Sequence, residues 1–271
     1  LILRLSPIVK KTTINHSNLS LMTNVIKKDF NVGGVEFNAI TIPKLFSQLT
    51  NSNFKQKGYI TVSGVSSIME AYHSEQIKSY HDESLYTVPD GMPIVWIGKR
   101  RGLKLERCYG PSLMDYFLKK SQNTEHKHFF YGGKPKVADL LKQKIEETYG
   151  PINIVGTYTP PFRPLNQNEE KNLINLVNEV KPDFFWVGIS CPKQETFMNE
   201  MIDKLNVKYM FGVGYAFDVL SGQASKTPRF IQEIGMEWFY RLVKDPIRLW
   251  KRYLYNVPAF IILHYKDIIK K

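Results

Sequence analysis

The chain has 271 residues, 43% of them hydrophobic and 23% charged, which is enough apolar material for a sizeable core and too ordinary a balance for a disordered or fibrous protein. Its two cysteines, Cys108 and Cys191, have no second Cys or His at ligand spacing, which argues against a disulfide framework and a zinc site and fits a reducing compartment. The net charge of +12 asks for an acidic partner, and the longest apolar run, residues 257–263, is far short of the ~20 residues that span a bilayer.

Residues 1–30 mix lysines, His16 and polar residues without the apolar stretch of a secretory signal, and they read as a partly disordered N-terminal extension. A first residue of Leu leaves the natural start open. Residues 59–62 form the first strand candidate. From about Lys127 short apolar runs alternate with longer amphipathic ones, which predicts strands at 128–131, 152–156, 183–189 and 208–213 and helices at 136–148, 167–180 and 193–205. This β-α-β order predicts an α/β catalytic domain over residues 31–225, a Rossmann-like open parallel sheet with helices on both faces. Glycines and prolines at the strand ends place a site along one edge of that sheet.

Residues 226–271 carry ten Lys and Arg against four Asp and Glu, half of the excess charge in about a sixth of the chain. The cations alternate with Trp238, Phe239, Tyr240, Trp250, Tyr253, Tyr255, Phe260 and Tyr265, so this segment is predicted to be a basic helical appendage suited to an anionic membrane surface. A helical cap with buried rings and solvated cations has the same composition.

In Val88-Pro89-Asp90-Gly91-Met92-Pro93 a carboxylate lies between prolines and beside a glycine that permits close approach of a ligand. Asp90 can serve there as a general base, although Asp-Gly is also an ordinary turn pair. In Gly188-Ile189-Ser190-Cys191-Pro192-Lys193-Gln194-Glu195 a strand gives way to a helix, with Pro192 at the first helical position. Free N–H groups and the helix dipole favour an anion at such a start, Lys193 adds a charge, and Gln194 and Glu195 can hold hydroxyls of a ribose or a sugar. A routine helix start with a solvated Lys fits the same residues.

Gly132-Gly133 follows a strand and precedes a helix, so its backbone can approach a nucleotide, as it can in a purely structural turn. In Gly212-Val213-Gly214-Tyr215-Ala216-Phe217 the last residue stands where a dinucleotide fingerprint needs a small one, which argues against a dehydrogenase. No Walker loop and no Asp-x-Asp pair is present, so neither a cofactor nor a metal is expected, and a diphosphate leaving group would rely on protein cations and helix dipoles.

Taken together and in order, Pro89-Asp90-Gly91-Met92-Pro93, Gly188 with Pro192-Lys193-Gln194-Glu195, Gly212-Val213-Gly214 with Phe217-Asp218, and Glu237-Trp238 with Arg241-Leu242 resemble the WecG/TagA/CpsF family of bacterial glycosyltransferases. The similarity runs from about Asn31 to Pro258 and includes Asp245-Pro246, Arg248-Leu249 and Arg252-Tyr253. It implies a metal-independent, inverting transfer of an N-acetylhexosamine or related sugar from a UDP-sugar, often to a polyprenyl-diphosphate-linked acceptor, by a cytoplasmic enzyme at the inner face of the membrane. Asp90 would take the acceptor's proton, and Lys193 and Gln194 would contact the donor. Arg241, Arg248 and Arg252 would close over the diphosphate or hold the lipid acceptor. Gly91, Gly132, Gly133, Glu195, Gly212, Gly214, Asp218 and Lys226 complete the expected substrate-binding set. Many members carry Thr-x-Asn where this chain has Thr61-Val62-Ser63, so Thr61 or Ser63 would orient the sugar, and Lys226-Thr227-Pro228 stands where Arg-Ala-Pro is usual. Residues 226–271 would meet the membrane, nucleic acid is not an expected partner, and homo-oligomerisation stays open. The rivals are a non-catalytic basic protein that binds anionic lipid or nucleic acid, and a nucleotide-dependent oxidoreductase.

Overall fold

The computed structural model describes residues 26–269, so the first 25 residues of the expected extension lie outside the described chain. A hairpin of β1 (Phe30–Val32) and β2 (Val35–Phe37) leads through α1 (Ile42–Leu49) to β3 (Gly58–Ser63). Helices α2 (Val65–His73) and α3 (Glu75–Asp82) precede β4 (Tyr86–Pro89), and α4 (Met92–Arg100) and α5 (Gly110–Lys120) follow it. Then come β5 (His128–Gly132), α6 (Val137–Tyr149), β6 (Ile154–Tyr158), α7 (Gln167–Val180), β7 (Phe184–Gly188), α8 (Lys193–Met201), β8 (Tyr209–Gly212) and α9 (Ala216–Leu220). The appendage is α10 (Arg229–Glu233), α11 (Glu237–Lys244) and α12 (Pro246–Ile269).

The six longer-range strands form one parallel sheet in the order β4-β3-β8-β7-β5-β6. Strands β5, β7 and β8 are covered on both faces, which is why each reads as an apolar run rather than an alternating one. On one face Phe117 of α5 sets its ring edge-on to Phe184, Trp186 and Phe211, and Trp186 stacks on Phe211 at 4.6 Å. The exposed backbone of the edge strand β4 is met by Asn38. Its N–H donates to the Thr87 carbonyl at 2.8 Å, and its side-chain oxygen accepts from the Thr87 N–H at 2.9 Å.

Helix starts are set locally. Asn166 and Glu169 form a reciprocal capping box at α7, and Pro93 and Pro111 occupy the first turns of α4 and α5, where a missing N–H costs nothing. The strand predicted at 152–156 lies two residues later, because the ladder shifts between His128 and Phe129 and Gly156 leaves room for the Phe129 ring. Helix α8 ends at Met201 rather than at 205. The hairpin strands, β4 and α1 run for only three to eight residues, too short for a periodic pattern to stand out in the sequence.

The appendage packs through α12 onto α2 and α4, burying Leu249, Tyr253 and Phe260, while Trp250, Tyr255 and Tyr265 stay exposed. The aromatic residues of this segment are therefore divided between the core and the surface. Among the described residues no helix is long and apolar enough to cross a membrane.

His128 is fully buried, accepts from the Trp186 indole N–H through Nδ1 at 3.1 Å, and is held neutral by burial, with its pKa lowered to about 3. The folded state thus binds fewer protons than the unfolded chain below the usual His value of ~6.5. The stabilisation from neutral His128 is complete above that value and is lost as pH falls toward 3. Urea unfolding at pH 7 and pH 4.5 should therefore differ by about 3 kcal/mol from this group alone, the lower pH being less stable.

Candidate active site

A cavity of about 410 Å³ opens beyond the carboxyl ends of β3, β4, β7 and β8, with α11 and α12 forming its far wall. This is the edge at which open α/β sheets bind their ligands. Asp90 occupies the turn between β4 and α4. Its N–H donates to the Ser63 carbonyl at 2.9 Å, and one carboxylate oxygen accepts from the Gly110 N–H at 3.3 Å. The side chain is enclosed by protein on most sides yet 31% reachable from the cavity.

Arg107 holds that carboxylate from below. Its Nη2 lies 3.6 Å from Asp90 Oδ1 and 2.6 Å from Glu237 Oε2, its Nε donates to the Asp90 carbonyl, and its guanidinium stacks on the Tyr109 ring at 4.3 Å. Burial raises the Asp90 pKa above the ordinary carboxylate value; Glu237 adds to the shift, while Arg107, the Gly110 N–H and Arg241 oppose it. The carboxylate is consequently a stronger base than an exposed aspartate.

Arg241 and Arg252 project from α11 and α12 into the opposite wall. The Arg241 guanidinium stacks on Tyr215 at 4.0 Å. The Nε–H groups of both arginines are buried and find no acceptor among the described residues. Neither forms an ion pair within that part of the chain. Two guanidinium groups kept this way in a cleft invite an anionic ligand. Gln194 is buried in the same cavity wall: its amide N–H donates to the Gly212 carbonyl at 3.2 Å, and its Oε1 finds no partner among the described residues.

Of the residues expected at the substrate, Asp90, Gly91, Gln194, Gly212, Gly214, Arg241 and Arg252 line this cavity. The others lie off its wall, for identifiable reasons. Thr61 and Ser63 are fully buried in a polar cluster, where Thr61 Oγ1 meets Thr87 Oγ1 at 3.0 Å and His81 Nδ1 at 3.2 Å, and Ser63 Oγ lies 3.5 Å from the same ring nitrogen. Ser63 acts on the site only through its carbonyl. Glu195 is fully buried beside Gln194, with its pKa raised by burial, and presents no surface to a sugar hydroxyl.

Gly132 serves strand packing: a Cβ there would lie 2.6 Å from the Gly188 carbonyl oxygen, so only glycine lets β5 and β7 approach this closely. Gly133 follows it away from the cavity. Gly188 in turn faces the Phe217 ring, which fills the space a dinucleotide fold leaves for close helix packing. Lys193 is exposed, its ammonium 4.6 Å above the ring of Phe162, and the Gln194 N–H at this helix start is already donated to Ser190 O at 3.0 Å. Helix α8 begins at Lys193, as the predicted range has it, with Pro192 as its cap and not as its first helical residue. Asp218 is partly buried near Lys134, Arg248 is exposed and paired with Asp245, and Lys226 is exposed.

Sequence reasoning missed Arg107 and Tyr109, which sit in an unpatterned charged segment before α5, and gave no role to Glu237. No local signal announces them, since Arg107 and Glu237 meet across 130 positions of chain.

A profile of the family described as "Glycosyl transferase WecG/TagA/CpsF family" matches residues 30–271. The chain belongs to the WecG/TagA/CpsF family. It is therefore a glycosyltransferase, and the oxidoreductase alternative falls away. Three proteins, each named N-acetylglucosaminyldiphosphoundecaprenol N-acetyl-beta-D-mannosaminyltransferase, are similar to it. The one from Bacillus subtilis (strain 168) is 27% identical over 237 residues, covering 83% of this chain and 90% of that protein. The one from Staphylococcus aureus (strain MRSA252) is 29% identical over 195 residues, or 70% and 73% of the two chains. The one from Bacillus spizizenii is 26% identical over 193 residues, or 71% and 72%.

The raised pKa of Asp90 also has a cost in stability. In the window above the unfolded value the folded state binds more protons than the unfolded chain, so this contribution falls as pH rises through the folded pKa. Asp90→Asn, which is isosteric and uncharged, should raise the melting temperature at pH 7. Calorimetry of the two proteins at pH 7 and pH 3.5 checks both the sign and its disappearance in acid.

Proposed function

We propose that this glycosyltransferase moves a sugar, an N-acetylhexosamine or a relative, from a UDP-sugar to a polyprenyl-diphosphate-linked acceptor in a single inverting displacement, without a divalent ion. The observation that carries the reading is the placement of one desolvated carboxylate, Asp90, across a cleft from Arg241 and Arg252, two guanidinium groups that form no ion pair among the described residues and whose Nε–H groups find no acceptor there. The acceptor oxygen attacks the anomeric carbon while its proton passes to Asp90. The bond from that carbon to the β-phosphate oxygen breaks on the opposite face, which inverts the centre. The charge that gathers on departing UDP is met by Arg241 and Arg252, whose attraction grows as water leaves the cleft. The acceptor class follows the names of the relatives, all of which act on a diphosphoundecaprenol-linked sugar.

The lipid part of such an acceptor has a plausible resting place beside the cavity. Ile234, Met236, Val257 and Ile261 of the appendage border it, and Phe230, Val243, Ile247 and Leu254 on the same helices are exposed near Arg229, Lys244 and Lys251. Apolar side chains ringed by cations suit the anionic inner face of a cell membrane, which supports a peripheral, cytoplasmic location.

Turnover measured as UDP release with a lipid-linked acceptor should fall about 10²–10⁴-fold in Asp90→Asn, the range for loss of a general base, with UDP affinity kept within about twofold. Full turnover in that variant would refute the assignment. Arg241→Ala and Arg252→Ala should each weaken UDP binding, and EDTA should leave the wild-type rate unchanged; inhibition by EDTA that Mg²⁺ reverses would contradict the ion-free mechanism. Co-sedimentation with phosphatidylglycerol vesicles should be lost on Ile247→Asp combined with Lys251→Glu, while soluble-acceptor turnover persists.

A further inference from the structure

Glu237 is nearly buried at the start of α11, beside the catalytic carboxylate, and forms no ion pair with Arg241 or Arg252 among the described residues. Its position is costly, because it brings a second negative charge close to Asp90. What it does contact is Arg107. The guanidinium donates to Glu237 Oε2 at 2.6 Å and stands off at 3.6 Å from Asp90 Oδ1, although both carboxylates lie within its reach. Gln232 of α10 takes a second guanidinium edge, with Oε1 3.3 Å from Nη1, and is itself anchored by donating to the Thr227 carbonyl at 2.7 Å. Three parts of the chain thus meet on one side chain: the segment before α5, the appendage and the base.

We propose that Glu237 is a positioning residue that draws Arg107 away from Asp90, so that the docked appendage sets the basicity of the catalytic carboxylate. This rests on the assignment of Asp90 as base. A guanidinium free to close on Asp90 would form a tight bidentate pair, pull its proton affinity down and hold its oxygens away from an acceptor hydroxyl. Glu237 prevents this by taking the shorter contact. The other groups facing Asp90 do not substitute for it. Cys108 and Tyr109, on the segment before α5, both have raised pKa values and stay neutral, Cys108 up to about 12. The Gly110 N–H at the start of α5 and Arg241 on α11 both favour the ionised carboxylate and act against it. On the side of the β3–α2 turn, what approaches the carboxylate is the backbone at Gly64. Glu237 is thus the group on these elements that keeps Asp90 basic by charge and by competition for Arg107.

The test compares wild type, Glu237→Gln, Glu237→Asp and Asp90→Asn by two readouts. The first is the titration of the Asp90 carboxyl carbon by NMR in ¹³C-labelled protein, assigned by its absence in Asp90→Asn. The second is the pH profile of kcat and KM for UDP release. In Glu237→Gln the Asp90 pKa should drop by about one unit, within the range an adjoining cation produces. The acid limb of kcat should move down with it, kcat on the plateau should fall about tenfold, and KM for the donor should stay within about twofold. Glu237→Asp, which keeps the charge, should recover most of the pKa and the rate. A wild-type Asp90 titration in Glu237→Gln, with Asp90→Asn inactive, would overturn the inference alone. So would a loss in Glu237→Gln confined to KM, or one that Glu237→Asp fails to recover while remaining folded by circular dichroism. Full activity in Asp90→Asn would instead remove the assignment of the base and leave the titration result to be judged by itself.

Discussion

A single guanidinium shared by two carboxylates ties the catalytic half of this protein to its appendage. Arg107 is only 14% exposed, and its contacts with Asp90 and Glu237 join residues that are far apart in the chain. Removing Arg107 would leave two carboxylates facing each other in a poorly solvated place, at a cost of about 3–5 kcal/mol in comparable buried pairs. The excess charge is small once the three are together, so the cluster can be buried at all. Around it the cavity is divided, with a carboxylate on the sheet side and the guanidinium groups of Arg241 and Arg252 on the helical side.

That division follows from the sheet. Parallel strands direct all their carboxyl ends to one edge, so the turns after β3, β4, β7 and β8 converge without any long loop. The backbone does much of the positioning. The Ser63 carbonyl and the Gly110 N–H fix Asp90 through its own N–H and its carboxylate, and the absence of a side chain at Gly212 lets Gln194 reach a strand carbonyl. Two residues whose hydroxyls looked suited to a sugar, Thr61 and Ser63, instead knit β3 to β4 through His81, whose pKa is lowered to about 4 by burial.

The readable parts of this sequence are those in which one physical demand dominates. Strands β5, β7 and β8 must be apolar on both faces, so they stood out as runs; β4 has four residues and the hairpin strands three each, too few for any period to appear. Asp90 was visible because a carboxylate between prolines is conspicuous, and Arg241 and Arg252 because cations crowd the end of the chain. Arg107 and Glu237 were not, since neither breaks a local rule and their meaning arises only when α11 folds back against the segment before α5. Glu195 and Lys193 lie off the cavity wall for a reason that no local pattern carries. A helix start has a strong local signature, yet which side chains of its first turn face a cleft depends on how the helix is rotated against the sheet, and here Gln194 alone of the three is turned inward.

The order of elements along the chain has a consequence for biosynthesis. Everything from the hairpin to α9 emerges from the ribosome before α10, α11 and α12, so the sheet and Asp90 are complete while the wall bearing Arg241 and Arg252 is still being made. A nascent protein at that stage holds the carboxylate of Asp90 without the two guanidinium groups that face it in the finished fold. The cleft becomes an enclosed pocket only when the last helices have packed against the sheet.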